Sequence, residues 1–552
     1  MAESYNIFVL RAWVMAALCL CPLAADDRSA AADEVFASLR TQQGPGCSAG
    51  VIHEGRFVYS TSFGMADLEQ RTPITSSTAF QVASMSKQFT AAAIFLLKQE
   101  GKLKLEDPVR RFVPELPAYA DGIHISDLLH HTSGLRDIAP LLEVRSAGRA
   151  PEPLDVAASV KLLASQSALN FAPGTDYEYT NSDYLLLGLI VERLSGMPLA
   201  EFAQQRIFLP LGMRGSAFHA RLDALTNRAT GYFARNGQFR RVPVTWLPGG
   251  DGGLYTTLED LLSWDQSFYS SQRFGEEFAD FMETRGRLAS GERIQYASGL
   301  IIGHYRGLRT VSHAGRVPGM RSEMLRFPDQ QLTVICLCNR GDADSAILAR
   351  EVAEVYLGGK LHSLREPAEL DYQASGFAEL AGIWESKQGW VARAWSSPDS
   401  LLMETADGRY RLQPLNRRQL FDSAGNSGLV LTRISSDQIT LQSDGGVRVP
   451  YNRLNATPPP RSDLHALEGD YRSADIGARY HVAVQDGKLQ LTAASGWHLA
   501  LDPVGADRFL LGPWTLRFTR TADGSVNGLE WHQARVWNLV FERVPGEATL
   551  AH

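Results

Sequence analysis

Lysine is scarce in this chain. Of 54 lysine and arginine residues, only eight are lysine. One of them, Lys87, heads the apolar run Phe89-Thr-Ala-Ala-Ala-Ile-Phe-Leu-Leu97, a setting that solvation alone does not call for. Positive charge is not in surplus either. A net charge of −7 and the lack of any basic run set nucleic acid aside as a partner. There is no H-E-x-x-H, no paired C-x-x-C and no phosphate loop, so the sequence implies no metal and no cofactor. The run Gly249-Gly-Asp-Gly-Gly253 is too irregular for a dinucleotide loop and lacks a preceding strand. His130 and His131 with Asp127 resemble a metal cluster, but the following Thr132-Ser-Gly-Leu135 makes them part of a loop signature.

Long hydrophobic runs are also missing. The segment Ala12–Cys21, after Arg11 and before Pro22-Leu-Ala-Ala25, is too short and wrongly flanked to span a membrane. It reads as a secretory signal over residues 1–25, cleaved near Ala25, which places the mature protein in the periplasm or outside the cell without a stable membrane anchor. Of five cysteines, Cys47, Cys336 and Cys338 remain after cleavage. An odd count argues against a disulfide framework. Buried free thiols packed in strands are expected, with one bridge from Cys47 to Cys336 or Cys338 as the alternative.

What is present is an ordinary globular composition, 44% hydrophobic and 21% charged, and 552 residues suit two to four domains. Two strands, Cys47–His53 and Arg56–Phe63, precede a helix starting at Ser84. A helix-rich middle follows, with Leu185–Leu194 and Leu258–Phe268 the clearest helical segments. Strands return near Tyr296–Tyr305, Arg309–His313, Glu323–Phe327 and Leu332–Cys338, and a helix at Ser345–Leu357 closes the block. That order suits an α+β domain with one antiparallel sheet built from both chain ends and covered by helices, over residues 26–360. Beyond it, short alternating strands separated by turns such as Asp407-Gly408 and Asp523-Gly524 predict antiparallel β-barrels or sandwiches. The break Asn455-Ala-Thr-Pro-Pro-Pro-Arg-Ser-Asp463 divides them into units of 361–455 and 463–546. Leu380-Ala-Gly-Ile-Trp384 opens one unit and Leu467-Glu-Gly-Asp-Tyr471 the other, consistent with a duplicated module.

Two serines compete as nucleophile. Ser48 in Gly46-Cys-Ser-Ala-Gly50 fits a G-x-S-x-G elbow, but its context is strand, turn and strand, which fails the strand-to-helix requirement. Ser84 and Lys87, three apart on a helix, share a face. Burial against the apolar run disfavours the ammonium form, so Lys87 is expected to titrate nearer neutrality and take the serine proton. In Tyr177-Glu-Tyr-Thr-Asn181, Tyr179 and Asn181 point the same way: a phenol to move a proton and an amide to orient a substrate. Asn181 also suits the N-cap of the next helix. In Ser312-His-Ala-Gly315, His313 offers a charge-tunable side chain and Gly315 room for a ligand at a strand edge.

Taken in order, Ser84-x-x-Lys87, Tyr179-x-Asn181 and His313-x-Gly315 resemble the class C β-lactamase-like serine hydrolases, a group of penicillin-recognising DD-peptidases, D-aminopeptidases and related esterases. Phe63-Gly-Met-Ala-Asp67, Leu128-Leu-His-His-Thr-Ser-Gly-Leu135, Phe171-Ala-Pro-Gly174 and Gly252-Gly253-Leu254 agree. A catalytic domain followed by two β-barrels is similar to the D-aminopeptidase branch, with which Ser84-Met-Ser-Lys-Gln-Phe-Thr90 and Ser133-Gly-Leu-Arg-Asp137 are shared. The resemblance implies a β-lactamase/transpeptidase-like catalytic fold. It makes Ser84 the acylated nucleophile, Lys87 its base, Tyr179 a proton shuttle and Asn181 the holder of the substrate amide. His313 stands where many relatives have lysine and would supply electrostatics or proton transfer. The backbone N–H groups of Ser84 and Arg316 would form the oxyanion hole. It also implies that a loop of the last barrel reaches toward the active site and helps select a free amine; the matching region, near Ala493-Ala-Ser-Gly-Trp497, is shorter here.

The expected function is therefore an exported serine hydrolase acting on D-alanine-containing peptides, as a D-aminopeptidase or DD-carboxypeptidase. An esterase or weak β-lactamase is the enzyme alternative, and a cell-wall-fragment or penicillin-binding sensor the non-enzymatic one. A decayed scaffold would lose one of Ser84, Lys87, Tyr179, Asn181 and His313, and all five are intact. The partner is a small peptide or ester, with peptidoglycan as one source; a homodimer is left open.

Overall fold

A computed structural model describes residues 27–544, apart from residues 42, 153, 244–248, 363–375, 377, 406–407, 417, 423–428, 443–447 and 455–460. The signal segment at 1–25 and most of the linker at 455–463 lie outside the described residues.

The catalytic domain is built on a six-stranded antiparallel sheet made from both ends of the domain. Its strands are β1 (Cys47–His53), β2 (Arg56–Phe63), β3 (Ile301–Tyr305), β4 (Leu308–Val317), β5 (Met320–Phe327) and β6 (Leu332–Cys338), in the order β3-β4-β5-β6-β1-β2. Two hairpins use two-residue turns with positive φ at both positions, Glu54-Gly55 and Arg306-Gly307. That turn geometry matches the right-handed twist of paired strands. Helices α1 (Asp27–Val35) and α4 (Ser345–Leu357) flank one face, where Phe36, Val334, Leu348 and Val352 pack together. On the other face lie α2 (Lys87–Gln99), α3 (Asn181–Ser195) and the remaining helices of the middle segment. Every residue of α2 from Lys87 to Leu97 is buried, so it is the central helix of the domain rather than an amphipathic surface one.

The β1–β6 seam corrects the expectation of three free thiols. The register sets Cys47 opposite Cys338, and the two form a disulfide. Cys336 opposes Ala49 instead and stays free and buried, its pKa pushed up by desolvation. Ser48 lies inside β1 with its hydroxyl on that of Ser62, 3.0 Å away, and not on a strand-to-helix turn.

Eight strands between Gly382–Ser386 and Val449–Arg453 close into an antiparallel barrel. A nine-stranded sheet follows, from Gly469–Ser473 to Val536–Val544. Its two end strands, His498–Ala500 and Asp502–Pro503, are separated only by Leu501, so it nearly closes on itself. The two units share one construction. Trp384 Nε1 donates to the Leu380 carbonyl at 3.0 Å, and the Tyr471 hydroxyl to the Leu467 carbonyl at 2.7 Å. Between them sit Gly382 and Gly469, with φ of +142° and +147°. A Cβ at either would strike the guanidinium of an arginine from the closing strand, Arg453 or Arg543. Only glycine holds that backbone while the arginine covers it.

The second barrel docks on the catalytic domain. Leu141, Leu142, Val144 and Leu162 continue its core beside Tyr480, Leu491 and Trp531. Arg136, 1% exposed, reaches across to Asp475 at 2.7 Å and also donates to the carbonyls of Trp537 and Asn538.

Candidate active site

The chain enters the site from the short strand Phe80–Gln81. The Val82 carbonyl accepts from Ser322 Oγ of β5 at 2.9 Å. A Cβ on Gly315 of β4 would lie 2.0 Å from the same oxygen. Glycine is thus required at 315 so that β4 can press against the turn that carries Ser84, a closer reason than the ligand approach expected from sequence. Ala83 next takes φ +47°, a strained left-handed conformation for a non-glycine residue. Residues Ala83–Ser86 form a 3₁₀ turn, and α2 begins at Lys87. Ser84 is left partly exposed at this corner.

Lys87 is completely buried beneath it. Its Nζ lies 3.1 Å from Ser84 Oγ, 2.9 Å from Asn181 Oδ1 and 2.8 Å from the carbonyl of Asp251. The i, i+3 spacing read in the sequence therefore becomes a direct hydrogen bond. Asp251 belongs to the glycine run set aside as a nucleotide loop. The glycines serve a different end: a Cβ on Gly250 would strike the Tyr184 carbonyl at 2.4 Å, and one on Gly188 the Gly250 amide at 2.7 Å. Their absence lets the loop cross α3 closely enough for a backbone carbonyl to reach the lysine.

Tyr179 and Asn181 arrive at the N-terminus of α3. Thr180, not Asn181, is the N-cap, its side chain accepting from Ser182 N at 3.2 Å. The Asn181 side chain is therefore available to the site. Its Oδ1 faces Lys87, and its Nδ2 donates to Asp137 Oδ2 at 3.2 Å, which fixes the orientation of the amide. The Tyr179 ring centroid is 4.8 Å from Lys87 Nζ, and its buried hydroxyl has no hydrogen-bond partner among the described residues.

His313 sits on β4 with Nδ1 2.7 Å from the Ala314 carbonyl and Nε2 3.0 Å from the Tyr296 hydroxyl. A carbonyl only accepts, so Nδ1 carries the proton and Nε2 accepts from Tyr296. Burial, then the nearby Lys87 charge, press the His313 pKa down to about 3. The imidazole is thus neutral at neutral pH, with both nitrogens engaged. Below about pH 6.5 an unfolded chain protonates this histidine while the folded one does not. Stability is then lost as pH falls from about 6.5 toward 3, by about 1.4 kcal/mol per pH unit from this group. Urea unfolding of His313→Gln at pH 7, 6, 5 and 4 is expected to show an acid limb shallower by about that slope. Arg316, immediately after Gly315, is exposed on β4, whose residues beyond Ser312 are no longer paired with β3.

Several site residues escaped the sequence reading. His131, at φ +58°, packs its ring 4.5 Å from those of both Tyr179 and Tyr296, with Nδ1 2.9 Å from Asp183 Oδ2. Burial drives His131 down and Asp183 up, so the pair carries no net charge. Asp137, fully buried, caps the next helix through Ala139 N and turns Oδ2 to Asn181 and to Arg535 Nη1, each at 3.2 Å. Their only sequence signal was membership in the segments from His131 to Asp137. Arg535 comes from the second barrel, on the turn before Val536–Val544. The region expected to reach the site, Ala493–Trp497, instead packs beside Ala147 and Gly148.

Known proteins resemble this chain along most of its length. Residues 32–357 match the family model described as "Beta-lactamase". Penicillin-binding protein 4* of Bacillus subtilis (strain 168) is 31% identical over 65% of this chain and 83% of its own length. A D-aminopeptidase of Brucella anthropi is 28% identical over 88% of this chain and 93% of its own. Among solved structures, the octameric penicillin-binding protein homologue from Pyrococcus abyssi shares the fold, with a TM-score of 0.54 at 22% identity over 84% of this chain and 97% of that one.

Proposed function

The chain belongs to the β-lactamase family and is a serine hydrolase of that fold; from this premise we propose that it works through an acyl-enzyme on Ser84, outside the cytoplasm, on peptides containing D-alanine. One observation carries the proposal: the Lys87 amine, fully buried, bonds the Ser84 hydroxyl at 3.1 Å directly beneath the Tyr179 ring. Ser84 Oγ attacks the scissile carbonyl as its proton passes to the Lys87–Tyr179 pair. The unpartnered Tyr179 hydroxyl is at hand to deliver a proton to the leaving amine and later to take one from the attacking water. Asn181, oriented by Asp137, supports the substrate amide and the lysine together. The amides of Ser84 and Arg316 stabilise the oxyanion, ordinarily a leading contribution to the rate of acyl transfer. His313, neutral and bound to Tyr296, shapes the wall of the site rather than supplying a cation.

The relatives' names, a D-aminopeptidase and a penicillin-binding protein, support the substrate class. The test is hydrolysis of D-alanine p-nitroanilide and of N-acetyl-D-alanyl-D-alanine by the mature protein. Turnover of either, with no turnover of the L-alanine counterpart, is the expected result. Inertness toward both, with hydrolysis of simple esters, would overturn the peptide assignment.

A further inference from the structure

The second barrel brings a cation into the catalytic centre that the mechanism above does not use. The guanidinium carbon of Arg535 lies 4.8 Å from the Tyr179 ring centroid, the same separation as Lys87 Nζ, so the phenol is flanked by two basic side chains. The Arg535 side chain remains 39% exposed while its Nη1 pairs with the fully buried Asp137. Its backbone is held by the catalytic domain. The Arg535 carbonyl accepts from Asp137 N at 3.2 Å and Asn170 Nδ2 at 3.1 Å. Asn170 Oδ1 accepts from Trp537 N at 2.8 Å, and Arg136 grips the carbonyls of Trp537 and Asn538. This hairpin is therefore a fixed part of the site.

The Lys87–Tyr179 pair that receives the serine proton starts with no net charge, and the His131–Asp183 pair and His313 add none. Arg535 meets Asp137 through a single Nη1 contact at 3.2 Å, with 39% of its side chain still open to the cleft. A half-exposed guanidinium at the edge of the cleft suits a carboxylate, which the remaining N–H groups of its planar fork recognise through charge-assisted hydrogen bonds. The same guanidinium has donors only and offers no acceptor to the ammonium group of a substrate with a free N-terminus.

We propose that Arg535 binds a free carboxylate of the substrate beside Tyr179, so that the second barrel selects anionic peptides, those ending in a D-alanine carboxylate, over peptides offering only a free amine. This rests on the acyl-enzyme reading above and narrows its substrate class from two candidates to the carboxypeptidase type.

The test compares N-acetyl-D-alanyl-D-alanine with its C-terminal amide in the full-length mature enzyme, as wild type, Arg535→Gln and Arg535→Lys. Wild type is expected to favour the carboxylate at least about tenfold in kcat/KM, on the scale of one charge-assisted contact. Arg535→Gln should collapse that ratio toward one, mainly through KM, and Arg535→Lys should restore part of it. An equal loss on both peptides would make Arg535 a support for Tyr179 and overturn the proposal, as would a ratio that Arg535→Gln leaves unchanged. Labelling of Ser84 by a penicillin, followed by intact mass, separates the two levels. An enzyme that acylates but shows no carboxylate preference contradicts only the role of Arg535; one that neither acylates nor hydrolyses contradicts the acyl-enzyme reading, and this proposal with it.

Discussion

Turnover in Ser84→Ala is expected to fall by about 10⁴-fold or more, the scale seen when a nucleophile acting within a catalytic unit is removed. The fold should survive, since Ser84 is partly exposed and, among the described residues, its hydroxyl bonds only Lys87. Lys87→Arg should approach the same floor, with acylation slowed about 10³-fold or more at every pH, because a guanidinium keeps the charge but does not release a proton near neutrality. Its stability should also suffer. The larger head must enter a fully buried site whose acceptors, Asn181 Oδ1 and the Asp251 carbonyl, are placed for a compact amine. Poorly satisfied buried acceptors cost about 1–3 kcal/mol each. Stopped-flow acylation of wild type and both variants, with unfolding midpoints alongside, checks this. Normal acylation by Lys87→Arg would remove Lys87 from the role of base.

The second large effect lies away from the chemistry. Arg136 and Asp475, 1% and 9% exposed, form an ion pair across the boundary between the catalytic domain and the second barrel. Asp475 also accepts from the amide and hydroxyl of Ser167. Removing one partner of a buried pair leaves an uncompensated charge, and Arg136→Ala is expected to cost about 3–5 kcal/mol. It also releases the carbonyls of Trp537 and Asn538, which hold the hairpin carrying Arg535. The barrel should therefore become loose as well as less stable: faster proteolysis of the C-terminal region and a larger radius of gyration in scattering are the readouts. The double variant Arg136→Met/Asp475→Leu should recover much of the stability, since apolar replacement of a whole buried pair is often neutral. A single Arg136→Ala variant as stable as wild type would show that the barrel is held by its apolar contacts alone.

Much of this was legible in the sequence, for local reasons. The bounds of β1, β2, β6 and the last helix of the catalytic domain follow from period, turn residues and length, and they coincide with the observed elements. The fold class and the repeated L-x-G-x-aromatic opening of the barrels were readable because each depends on nearby residues. So was the burial of Lys87, through the apolar run that follows it. What stayed hidden depends on register and long-range approach. Whether Cys336 or Cys338 meets Cys47 is a question of strand register. Asp251 acts through a backbone carbonyl, which no residue type announces. Arg535 lies 398 positions from Asp137 in the chain, and one arginine among many carries no mark of its partner. The loop assigned by resemblance, Ala493–Trp497, packs beside Ala147 and Gly148, a placement set by long-range docking that its own residues do not announce.

The central claim is that Ser84 becomes covalently acylated. The most direct measurement is the intact mass of the mature protein after brief incubation with a penicillin, followed by peptide mapping. The account predicts one added equivalent of the ring-opened penicillin, carried by the peptide containing Ser84 and absent in Ser84→Ala. An adduct on another residue, or a label that persists in Ser84→Ala, would contradict it.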